Sequence, residues 1–180
     1  MSKITRYLRF QDGLSDWVGR VISWLTLGII GVLLYEVLAR YIFNAPTVWG
    51  YELATMFFGA LSVLAGSYTL RHQSHVRSDV IYRLLPPRGQ AFCDVIVFAL
   101  GIVVLAVVFD MAVDFAYRAW EIGEYSNRSS WRPPLWPIKA TIPLAVGLLI
   151  LQCLAEFVRA VLKLFNVPFE DPRKDPEEST

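Results

Sequence analysis

The sequence predicts an all-α integral membrane protein with four transmembrane helices and short interfacial amphipathic helices. Three observations lead there. The 180 residues are 55% hydrophobic with mean hydropathy +0.44, above the roughly 45–50% of soluble domains. The apolar residues cluster in four runs that carry no charge, bracketed by Arg20 and Glu36, Glu52 and Arg71, Asp94 and Asp110, and Lys139 and Glu156. The Leu53–Leu70 run alone, at 1.5 Å per residue, reaches about 27 Å, close to a bilayer's hydrocarbon thickness. Aromatic residues make up 14% of the chain and include six Trp, which suits two water–lipid interfaces.

Residues 1–17 precede the first span. Ile4, Tyr7 and Leu8 share a helical face while Lys3, Arg6 and Arg9 can meet headgroups, so a short interfacial helix is expected. Span one covers about 17–39. Its Glu36 and Arg40 are four apart, in the favourable order for pairing on one face. No cleavable signal is expected, because the first apolar run starts only near Val21 and no small-residue cleavage site follows it.

Span two covers about 49–70. Thr55, Gly59, Ser62 and Gly66 form a stripe of small residues down one face. In lipid, helices associate where backbones approach closely, so this stripe is a candidate helix contact with span one, span four or another protein. Residues 71–89 form a basic connection whose Val76, Val80, Ile81, Leu84 and Leu85 suggest a second in-plane helix, stopped by Pro86-Pro87.

Span three covers about 90–117 and span four about 138–158, with Pro143 expected to kink the latter near its start. Between them, residues 118–136 are rich in Trp and stiffened by proline. The spans form one membrane domain, 1–165; the polar, Pro-broken tail 166–180 is expected to be disordered. Twelve Lys and Arg fall on the side of the termini and the 71–89 connection, against five on the other. That excess predicts cytoplasmic termini.

Several functions find no support in the residues. There is no GxSxG, HExxH or phosphate-binding glycine loop, so no catalytic residue is expected, and no nucleic-acid partner. Cys93 and Cys153 lie in apolar runs without metal spacing. His72 and His75 are three apart in one basic segment, whereas haem in a bundle needs histidines facing each other from different helices. No cofactor or metal is expected, and His75 can bond Asp79 locally. A membrane anchor or cytochrome-type subunit of a redox complex is the competing class, and it predicts haem absorbance. Carriers place ionisable groups or broken helices at the midplane. These spans do neither, which points to a scaffold.

The densest set of special residues runs from Arg40 to Asp79. It comprises Arg40, Tyr41, Asn44, Pro46, Trp49 and Glu52, then Gly59, then His75, Val76, Arg77 and Asp79. An Arg40–Glu52 pair stapling the first hairpin is the expected use of these charges. In this set the chain resembles the small membrane subunit of TRAP transporters, the DctQ-like small permease, over roughly residues 17–160. The resemblance implies a bacterial inner-membrane subunit of a tripartite, binding-protein-dependent transporter that imports an organic anion, often a carboxylate, on a sodium gradient. Its implied partners are membrane lipid, a large multi-span permease subunit and a periplasmic substrate-binding protein. It supplies no ligand residue to carry over. The rigid, aromatic 118–136 loop, with Arg128, Trp131 and Arg132, is the expected docking surface for the binding protein.

Overall fold

Where an apolar run is long and unbroken by proline, the backbone satisfies its own hydrogen bonds only as a helix. The computed structural model describes residues 3–71, 86–165 and 167, and four helices account for almost all of them. They are α1 (Lys3–Tyr41), α2 (Gly50–Arg71), α3 (Pro87–Glu121) and α4 (Trp136–Leu164). Each is long and apolar enough to cross a membrane. His72, His75, Arg77 and Asp79, the amphipathic 75–85 stretch and nearly all of the 166–180 tail lie outside the described residues.

Local chemistry sets the ends. Pro86 is extended and Pro87 occupies the first turn of α3, where a missing N–H costs nothing. Gly123 has φ +58°, the left-handed geometry that glycine tolerates after a helix. The Glu124 N–H then returns to the Ala119 carbonyl (3.0 Å). Helix α4 continues through Pro143.

The 39-residue α1 departs from the expected break near residue 17. The amphipathic segment is helical, but it is the N-terminal part of the same helix that forms span one. Leu8, Gln11, Asp12, Ser15, Val18 and Ile22 are all buried. Their spacing keeps one continuous helical face with no shift in phase. Ser15 would suit a helix cap, but its hydroxyl instead donates to Gln152 Oε1 of α4 (2.8 Å).

Packing follows the chain order only in part. Helices α1 and α2 are antiparallel neighbours, α2 lies against α4, and α4 packs on α3. Close approach of α1 and α2 depends on Gly19, where an added Cβ would lie 2.3 Å from the Tyr68 ring. At the far end of the hairpin, a Cβ on Gly50 would lie 2.7 Å from Thr47 Oγ1. Phe109 of α3 covers Gly147 of α4, and the edge of Trp120 meets Trp136 with centroids 4.6 Å apart. Past the end of α2, the first turns of α1 reach α4 directly, with the Tyr7 hydroxyl donating to the Leu151 carbonyl (3.3 Å). The outward faces of α1 and α3 carry large aliphatic residues such as Leu27, Ile30, Leu100 and Val103, all more than half exposed.

Candidate functional site

The polar residues gather at the two ends of the helices, and each end builds a different structure. At the end bearing the α1–α2 turn, Glu36 is the hub. Its Oε1 accepts from Arg40 Nε (3.1 Å) and Nη2 (2.5 Å). Its Oε2 accepts from the Thr47 backbone N–H (3.1 Å) and from the Thr47 hydroxyl. Thr47 Oγ1 in turn accepts from the Gly50 N–H (3.2 Å), which satisfies one of the free donors at the start of α2. Asn44 turns the chain with φ +50°, a geometry asparagine tolerates better than most residues. Trp49 stacks on Tyr35 with centroids 5.6 Å apart. Tyr41 and Pro46 are exposed.

The expected Arg40–Glu52 staple does not form. Arg40 takes the acid one turn back on its own face, and the hairpin is stapled by Glu36 and Thr47 instead. Glu52 is only 5% exposed, and its Oε2 accepts the hydroxyl of Ser129, 77 residues away in the α3–α4 loop. Its Oε1 is buried and has no hydrogen-bond partner among the described residues.

That loop, residues 122–135, is a short arch. Tyr125 and Pro134 form an antiparallel bridge. The Ser126 N–H donates to the Pro133 carbonyl (2.9 Å) and the Leu135 N–H to the Glu124 carbonyl (2.8 Å). Lys139 Nζ donates to Glu124 and lies 4.1 Å from the centre of the Phe115 ring. Arg128, Trp131 and Arg132 are exposed at its tip, and Arg132 has φ +46°.

The small-residue stripe faces away from the other helices. A Cβ at Gly59 or Gly66 would meet no heavy atom within 4 Å. The Thr55 hydroxyl lies 2.8 Å from the Tyr51 and Glu52 carbonyls, and that of Ser62 donates to the Phe58 carbonyl (2.8 Å). Such back-bonding leaves no unmet polar group on the face. Inside the chain α2 instead packs through Ala54, Ala60 and Ser67, which are buried.

At the opposite end lies a buried polar cluster that sequence reasoning missed. Arg159 Nη2 donates to Asp12 Oδ2 (2.6 Å) and its Nη1 to Glu156 Oε1 (3.0 Å). Gln152 Nε2 donates to Glu156 Oε1 (3.2 Å) and its Oε1 accepts from Ser15. Gln152, Glu156 and Arg159 recur at 4 and 3 residues, one face of a helix. That spacing, set beside Gln11, Asp12 and Ser15, was the available signal. Among the described residues no group of three His, Cys, Asp or Glu residues is placed to hold a metal ion.

Among the described residues, four helices apolar enough to span a membrane, with their charged groups gathered at the ends, define a multi-pass membrane protein. The chain matches the sequence profile of the DctQ component of tripartite ATP-independent periplasmic transporters over residues 29–163. It belongs to that family and is the small permease component of a TRAP transporter, a multi-pass protein of the bacterial inner membrane. It is also 30% identical over 90 residues to the sialic acid TRAP transporter permease protein SiaT of Haemophilus influenzae (strain 86-028NP). The match covers 50% of this chain and only 14% of that relative's length.

Proposed function

We propose that this chain is the fixed scaffold subunit of a binding-protein-dependent importer of an organic anion, a carboxylate, driven by a sodium gradient. The observation that carries the reading is the placement of charge. The central 15 to 18 residues of each span hold no Asp, Glu, Lys, Arg or His, and the described buried ion pairs lie at the helix ends. Such spans offer an ion or an anion no site at the membrane midplane. They offer stable surfaces instead.

The partner that moves substrate is then a large multi-span permease subunit. The relative supports this, because the stretch similar to this chain is a small part of a much longer permease protein. Its named substrate, sialic acid, is itself a carboxylic acid. In this reading both termini are cytoplasmic, and the Thr55, Gly59, Ser62 and Gly66 face meets the large subunit. Arg40, Tyr41, Asn44, Pro46, Trp49 and Glu52 shape the outer end of the first hairpin. The tip with Arg128, Trp131 and Arg132 receives the periplasmic binding protein. Opposite charges across such a contact speed encounter more than they tighten it. Charge reversal at Arg128 and Arg132 is therefore expected to slow binding-protein-dependent uptake and to weaken its salt dependence. Unchanged kinetics in the reversed variant would remove the docking assignment.

A further inference from the structure

We propose that Ser129 and Glu52 form a releasable latch between the tip of the outer loop and the first turn of α2. What releases it rests on the docking reading above; that it exists does not.

Four observations converge on this pair. Among the described residues, the Ser129–Glu52 hydrogen bond is the one that joins tip residues 127–132 to a helix. The other printed bonds of the tip stay within the loop, from the Arg128 N–H to Ser126 Oγ (3.2 Å) and from the Arg132 N–H to the Ser129 carbonyl (3.3 Å). Glu52 is buried, yet its Oε1 has no donor among the described residues. A buried acceptor left unmet is a standing cost, and native structures rarely keep one without a reason. Arg132, three residues beyond Ser129, holds a left-handed backbone that non-glycine residues avoid.

Both costs belong to the closed tip, and one movement relieves both. Withdrawal of residues 127–132 would free Arg132 and open Glu52 to water. The base of the arch can stay in place meanwhile, pinned by the Tyr125–Pro134 bridge and the Glu124–Lys139 pair. Arg128 and Arg132 are exposed and carry no ion pair among the described residues, so a partner with an acidic surface is the one suited to draw the tip outward. Glu52 also connects the tip to the open face of α2, because its carbonyl lies 2.8 Å from the Thr55 hydroxyl. A partner seated on the tip would thus be felt at the start of the face proposed to meet the large subunit.

The test uses the assembled transporter in membrane vesicles, with Cys93 and Cys153 replaced by Ala. Glu52→Cys and Ser129→Cys are joined by a short bis-methanethiosulfonate cross-linker that spans the length of the lost Glu side chain, and uptake is measured before and after reduction. The expected result is that the bridge forms, subunits still co-purify, uptake is lost, and reduction restores it. Failure of the bridge to form, or full uptake by the bridged complex, would overturn the latch. Should the double variant not assemble, Ser129→Ala gives a second reading. Cleavage by external trypsin after Arg128 should rise about tenfold as the open tip becomes more populated, and an unchanged rate would equally overturn it. Charge reversal at Arg128 and Arg132 separates the two proposals. If reversal is silent but bridging blocks uptake, the latch stands and the docking site falls; the converse pattern keeps the docking site and removes the latch.

Discussion

At the scale of single residues, the geometry of charge is decided by which face a side chain leaves from. Glu36 and Arg40 share a face one turn apart, and their 2.5 Å contact forms within α1. Glu52 leaves α2 toward the loop and meets Ser129 instead. Arg159 is the residue whose loss should be felt most in the isolated chain. It is 2% exposed and bonds both Asp12 and Glu156. Replacing it with Met removes the cation that bonds both carboxylates, and breaking such a buried pair costs about 3–5 kcal/mol. Thermal unfolding in detergent should show a marked fall in Tm for Arg159→Met. Adding Asp12→Asn and Glu156→Gln to the same chain should recover much of the loss, since both carboxylate charges are then gone. A triple variant no more stable than the single one would mean that the cluster is held by shape and not by charge.

Elements show what a linear pattern conveys and what it leaves open. The four spans were legible because apolar runs of the right length end in charges. The start of α3 was legible because Pro86-Pro87 has few other uses. The continuity of α1 was not legible: Gln11, Asp12 and Ser15 look like the polar side of a surface helix until Gln152, Glu156 and Arg159 are brought against them. Likewise the Glu52–Ser129 contact depends on how α2 is rotated about its axis relative to α4, which no local pattern records. The stripe was visible as a pattern, but its direction, away from α1 and α4, came only with the fold. That direction yields a clean prediction. Gly59→Leu with Gly66→Leu adds side chains where a Cβ meets nothing, so the chain's own Tm should stay unchanged. Recovery of the large subunit with the tagged variant should fall about tenfold or more if the added bulk costs that contact about 1.4 kcal/mol or more. Undiminished recovery would assign the stripe to lipid.

On the scale of the whole molecule, α1 is unusually long for a single crossing. Its 39 residues amount to about 58 Å of helix, and its first turns end on the cytoplasmic third of α4 in the proposed orientation. The N-terminal segment packs on α4, and in the proposed reading that contact braces the scaffold. Deleting residues 1–15 should reduce both assembly and uptake, because it uncovers Gln152, Glu156 and Arg159; intact assembly and uptake after the deletion would refute the bracing role. Orientation is open to an independent check. A cysteine at Trp131 should react with a membrane-impermeant maleimide added outside, and one near the C-terminus should not. The reverse pattern would invert the topology.

In the proposed function this chain supports a transporter without carrying substrate itself. Affinity purification of the tagged chain from its native membrane, followed by mass spectrometry, tests that most directly. The scaffold reading predicts co-purification of a multi-span membrane protein of at least about twice this length, the size that room for a carrier's own inverted repeats implies. Recovery of the chain alone, active in anion uptake when placed by itself in liposomes, would contradict it.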